Sequence, residues 1–86
     1  MKSVRILINS FAKARRFHHV IAQFDGEFDL LQDRYVINAK SQLGIFSLDI
    51  SRPIRLDIYS EESMDRIMEG IAPFLYKRRQ PGEQSR

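Results

Sequence analysis

Two serines and one pair of histidines are the residues of this chain whose types and places suit phosphorus chemistry. Ser41 stands between a strand-like run (Tyr35, Val36, Ile37) and a short apolar segment holding Leu43, Ile45, Phe46 and Leu48. A serine in that place can cap the segment, its hydroxyl accepting backbone N–H groups that a first helical turn leaves unpaired. The same N–H groups and the positive helix end receive a phosphate well. Capping and phosphorylation both remain open for Ser41, and the two roles are compatible. Ser10 stands before a longer amphipathic run and can cap that one.

His18 and His19 are adjacent. Neighbours on a helix point about 100° apart, so they do not chelate one ion; helical metal pairs use an i, i+4 spacing. They read as surface histidines, with a displaced phosphocarrier as the alternative. Asp25, Glu27, Asp29 and Asp33 form no carboxylate pair with catalytic spacing. No metal site, no cofactor and no enzymatic centre are expected.

The elements that must position these residues follow from hydrophobic period. Val4, Ile6 and Ile8 alternate as a first strand. Ala14, Phe17, Ile21 and Phe24 recur at spacings of three and four, which predicts an amphipathic helix over 11–24 with Arg15, His19 and Gln23 outside. Gly26 suits the left-handed position that ends it. Phe28, Leu30 and Gln32 alternate as a second strand, and Asp33-Arg34 turns into a third over 35–38. A short helix follows over 41–48. Ile54, Leu56 and Ile58 alternate as a fourth strand after Pro53. Ser60-Glu61-Glu62 reads as a helix start with acids in the first turn. Met64, Ile67, Met68, Ile71 and Leu75 mark its apolar face, weakened near its end by Pro73. The order β-α-β-β-α-β-α predicts a two-layer α+β domain, a mostly antiparallel sheet with helices on one face.

Eighty-six residues allow one small domain. There is no cysteine, hence no disulfide and no thiolate metal site. No apolar run reaches the ~20 residues of a membrane span, and the N-terminal stretch is too short for a signal peptide, so the cytoplasm is expected. Residues 1–19 hold five basic side chains and no acid, whereas 20–75 hold five basic and ten acidic. The last eleven residues hold four basic and one acidic. Residues 1–75 read as the domain and 76–86 as a polar basic tail, expected to be disordered. The neutral but polarised body argues against nucleic acid as partner and suits an acidic protein partner. A small α+β nucleic-acid module using Lys77, Arg78 and Arg79 is the third reading.

The run Asn38-Ala39-Lys40-Ser41-Gln42-Leu43-Gly44-Ile45-Phe46-Ser47-Leu48, with the order of elements, resembles the HPr family of the bacterial phosphotransferase system over about residues 4–75. The resemblance implies an open-faced sandwich of strand order 1-4-2-3. It also implies two phosphorylation sites, a carrier histidine opening the first helix and a regulatory serine modified by an ATP-dependent kinase. Ser41 falls at the regulatory serine. Ser10 falls at the carrier histidine, and the Phe11-Ala12-Lys13-Ala14 that follows lacks the family's Arg-Pro. A relay needs an imidazole, whose phosphoramidate passes its group on; a serine ester is a stable mark. The chain therefore looks most like the Crh (catabolite repression HPr) branch, which keeps the serine and lacks the histidine.

The resemblance implies a regulatory protein of carbon catabolite control, acting by docking. Its implied partners are an HPr kinase/phosphorylase-type enzyme, a catabolite-control-type transcription factor and the general PTS enzyme. The expected docking surface is Leu43 and Phe46, exposed at least in part, with Lys40, Gln42, Lys13, Arg15 and Arg16 around them. Lys40 is a candidate partner for a phosphate on Ser41. Lys13, Arg15 and Arg16 are expected near Ser41, either to receive it or as a solvated face. Ile45 and Leu48 are expected in the core.

Overall fold

The alternation of Ile54, Leu56 and Ile58 with Arg55, Asp57 and Tyr59 builds the strand at the centre of the domain. The computed structural model describes residues 1–77. In chain order the elements are β1 (Lys2–Ile6), α1 (Phe11–Ala22), β2 (Glu27–Gln32), β3 (Tyr35–Asn38), α2 (Gln42–Phe46), β4 (Ile54–Tyr59) and α3 (Met64–Ile71), then a 3-10 turn (Ala72–Phe74). The sheet has order β1-β4-β2-β3 and every pairing is antiparallel. Fold class and strand order are those expected from the sequence.

One side of the sheet packs against the helices. Ile54, Leu56 and Ile58 of β4 meet Phe28 and Leu30 of β2, Ala14, Phe17 and Ile21 of α1, and Ile67 and Ile71 of α3, all buried. Each buried Ile, Leu or Phe among them contributes about 1.5–3 kcal/mol. Phe17 meets Phe74 edge-on, with centroids 5.4 Å apart. The β2–β3 hairpin turns through Asp33 at φ 56°, a left-handed backbone that Asp tolerates without glycine. Arg52 grips the Asp33 carboxylate at 2.9 Å and also holds Asp49. Buried Gln32 donates to the Asp49 carbonyl at 2.9 Å and accepts the Asp49 N–H at 2.8 Å. These contacts fix the 49–53 connection behind α2.

Several boundaries differ from those expected: α1 stops at Ala22 rather than at 24, and α2 spans Gln42–Phe46 rather than 41–48. Ile8 is buried but lies past the end of β1, where the Leu7 N–H turns to the Phe74 carbonyl and the Asn9 N–H to the Ile50 carbonyl. The third helix is capped by Ser63, not by the Ser60-Glu61-Glu62 run. Those residues are occupied elsewhere: the Ser60 hydroxyl donates to the Asp25 carbonyl, and the Glu62 carboxylate accepts the Asp25 N–H. The helix stops at Ile71, because Pro73 has no N–H to continue it. Leu75 leaves the helix and bridges to Ile6, and the Tyr76 N–H donates to the Arg5 carbonyl at 2.8 Å. Tyr76 therefore belongs to the folded body. The rest of the predicted tail, apart from exposed Lys77, lies outside the described residues, Arg78 and Arg79 included.

The side of the sheet away from the helices carries one buried acid. Asp57 is 3% exposed, and Arg55 holds both its oxygens at 2.8 and 2.9 Å while the Ser3 hydroxyl donates to one of them. Register places Asp29 directly opposite Asp57, a like-charge neighbour that the Arg55 guanidinium offsets. The Arg55 bond, aided by Ser3, holds the Asp57 carboxyl below the usual range although burial acts the other way.

Candidate functional site

Ser41 is the N-cap of α2. Its Oγ accepts the Gly44 N–H at 3.0 Å, and its own N–H donates to the Asn38 carbonyl at 2.9 Å. The residue is exposed, as is Gln42. The cap works because α2 sits close on the hairpin: a Cβ at Gly44 would run into Ile37 and approach the Ser41 side chain. Glycine three residues after the cap lets α2 settle onto β3.

The apolar residues of α2 and of the turn that follows it divide as the sequence suggested. Ile45 and Leu48 are buried, whereas Leu43 is 85% exposed and Phe46 38%. Leu43 and Phe46 are three residues apart, hence on one helical face. The structure adds Phe11, which the sequence reading did not single out. Phe11 is 71% exposed, and its ring centroid lies 5.3 Å from that of Phe46 at 59°. The signal was slight: Phe11 stands three residues before Ala14, in line with the buried stripe, and only its place in the first helical position, straight after a cap, sets it apart.

The arrangement of the two helices moves the expected basic neighbours. The end of α2 meets the start of α1 through Phe46 and Phe11, and the entrance to α2 meets the middle of α1. There His18 Nε2 lies 2.9 Å from the Lys40 carbonyl. α2 therefore runs opposite to α1. Lys13 sits five residues, about 7.5 Å of helix axis, from the turn that faces Ser41's neighbour. It belongs to the Phe46 end rather than to Ser41. Arg15 and Arg16 face out with Ala12, His19, Val20 and Gln23 around an open concavity of about 500 Å³.

Lys40 is turned inward. Its Nζ donates to the Phe24 carbonyl at 2.6 Å, just past the end of α1, and lies 5.6 Å over the Phe28 ring. A cation is favourable against the carbonyls that end a helix. This corrects the expectation that Lys40 borders the exposed surface and awaits a phosphate: its charge is already engaged. His18, expected on the surface, is half-buried and bonded, while His19 is exposed. Ser10 caps α1, accepting the Lys13 N–H at 3.1 Å.

The site thus presents an exposed hydroxyl at one end of α2, an exposed apolar cluster of Phe11, Leu43 and Phe46 on and beyond it, and basic side chains along the outer face of α1. Such a surface suits docking and modification.

Comparison with known proteins agrees on architecture. The crystal structure of HPr-C-His from Thermoanaerobacter tengcongensis is similar to this chain with a TM-score of 0.72 at 24% sequence identity, covering 85% of this chain and 89% of that one. No protein-family model and no curated protein matches the sequence. The fold is therefore that of an HPr.

Proposed function

We propose that this chain is an HPr-like regulatory protein of the Crh type, a non-catalytic cytoplasmic docking module switched by phosphorylation of Ser41. One observation carries the reading. An exposed serine hydroxyl stands at the head of α2, exposed Leu43 and Phe46 lie along the same helix, and Phe11 of α1 packs against Phe46. The 24%-identical likeness to an HPr supports the setting. In the modification, Ser41 Oγ attacks the γ-phosphorus of ATP. The O–P bond to serine forms, the bond to ADP breaks, and the hydroxyl proton passes to a base of the kinase. The product carries about two negative charges at neutral pH. Lys40 Nζ is engaged with the Phe24 carbonyl and Ser41 is exposed, so the new charge stands at the surface.

The partners of this reading are an HPr kinase/phosphorylase-type enzyme and a catabolite-control-type transcription factor. Phosphoserine together with Gln42, Leu43 and Phe46 forms the contact, with Lys13, Arg15 and Arg16 on the flanking helix. A sugar phosphocarrier role is disfavoured, because Ser10 holds the position that would need an imidazole.

Intact mass after incubation with an HPr serine kinase and ATP tests the reading. One added phosphate, absent in Ser41→Ala, is the expected result. A phosphate that persists in Ser41→Ala, or none in the wild type, removes the switch. Acid-labile phosphate taken from phosphoenolpyruvate through the general PTS enzyme would restore the carrier reading.

A further inference from the structure

The peptide unit that leads into Ser41 is held at both of its polar ends. Its oxygen is the Lys40 carbonyl, 2.9 Å from His18 Nε2. Its N–H is that of Ser41, donated to the Asn38 carbonyl at 2.9 Å. A peptide unit is planar, so two hydrogen bonds on opposite edges fix its rotation. A carbonyl only accepts, which assigns the shared proton to Nε2. The Nε2–H donor is present in one neutral tautomer and in the imidazolium, so the bond survives a change of protonation.

Lys40 itself is pinned elsewhere as well. Its N–H donates to Asn38 Oδ1 at 2.8 Å, and its Nζ to the Phe24 carbonyl at 2.6 Å. Of these contacts, only the His18 bond links the entering peptide to the middle of α1. The Ser41 hydroxyl hangs from the next Cα, so a fixed plane leaves only φ and χ1 of Ser41 to set its direction, and the Gly44 N–H holds it there. His19 makes no such contact and faces solvent.

We propose that His18 is a positioning residue for Ser41: it orients the entering peptide so that the hydroxyl is held at the Gly44 N–H and presented for phosphoryl transfer. The inference deepens the reading of Ser41 as acceptor and rests on it. It also gives the histidine pair a division of labour that neither metal binding nor phosphorelay supplies.

The test compares His18→Leu with His18→Gln. Leucine keeps apolar bulk and loses the donor, whereas the glutamine amide nitrogen reaches the place of Nε2. Two quantities are read: amide hydrogen exchange at Ser41 and Gly44 by NMR, and kcat/KM for Ser41 phosphorylation by an HPr serine kinase. Exchange at β4 amides serves as the check on global folding. In His18→Leu, exchange at Ser41 and Gly44 rises about two- to tenfold, and kcat/KM falls by a similar factor, the scale of one hydrogen bond. His18→Gln restores both. Unchanged exchange at the two amides in His18→Leu, or a glutamine variant as impaired as the leucine one, overturns the proposal. Exchange needs no kinase. A wild type that accepts no phosphate therefore sinks the acceptor reading, while exchange alone decides the orienting role.

Discussion

The ring of Phe11 stands 5.3 Å from the ring of Phe46, joining the first residue of α1 to the last residue of α2 across a surface open to solvent. An exposed aromatic pair is worth about 0.5–1.5 kcal/mol beyond its buried area.

A double-mutant cycle measures that contribution. Phe11→Ala and Phe46→Ala each lower stability modestly, with a coupling of about 0.5–1.5 kcal/mol in urea unfolding. Phe11→Ala also weakens kinase docking, read as a rise in KM of several-fold with kcat little changed. A variant that loses the coupling but keeps its KM would confine the pair to a structural role.

Gly44→Ala tests how tightly α2 lies on the hairpin. The new methyl meets the Ile37 side chain. Overpacking of this kind costs about 1–3 kcal/mol. Ile37→Ala in the same chain makes room and recovers part of the loss, measurable as a non-additive shift in the urea midpoint.

Ser41→Ala removes the α2 cap and lowers stability by about 0.5–2 kcal/mol. Ser41→Asp keeps a capping oxygen and stays near wild-type stability. Thermal unfolding of the two variants, side by side, distinguishes a cap from a bystander hydroxyl.

Asp57 gives a pH dependence with a defined sign. Its folded carboxyl titrates below its ordinary value of 3.8, chiefly through the Arg55 bond. A depressed carboxylate stabilises the folded state fully above the unfolded value, and that contribution is lost as pH falls through the folded one. Tm of the wild type should therefore exceed that of Asp57→Asn at neutral pH, with the difference shrinking below about pH 4. A gap that stays constant into acid would exclude the linkage.

The four strands, the two long helices and the cap at Ser41 were legible because they rest on local period and on capping chemistry. Leu43 and Phe46 were legible too, since a short helix cannot bury four apolar side chains. Lys40 was not. Its inward turn depends on the Phe24 carbonyl and the Phe28 ring, which only the packed hairpin brings within reach. His18 was missed for the same reason. The Ser60 start failed because a second capping serine, Ser63, stood three residues on, and the choice between them lies in contacts to Asp25 at the far end of α1.

The course of residues 74–76 has a consequence for assembly. Leu75 and Tyr76 run beside the Arg5–Leu7 end of β1, while among the described residues nothing pairs with the outer margin of β3. An incoming strand therefore meets main-chain groups already taken at that end of β1. Annealing of a second strand along the whole length of β1 requires that the 74–76 segment first let go.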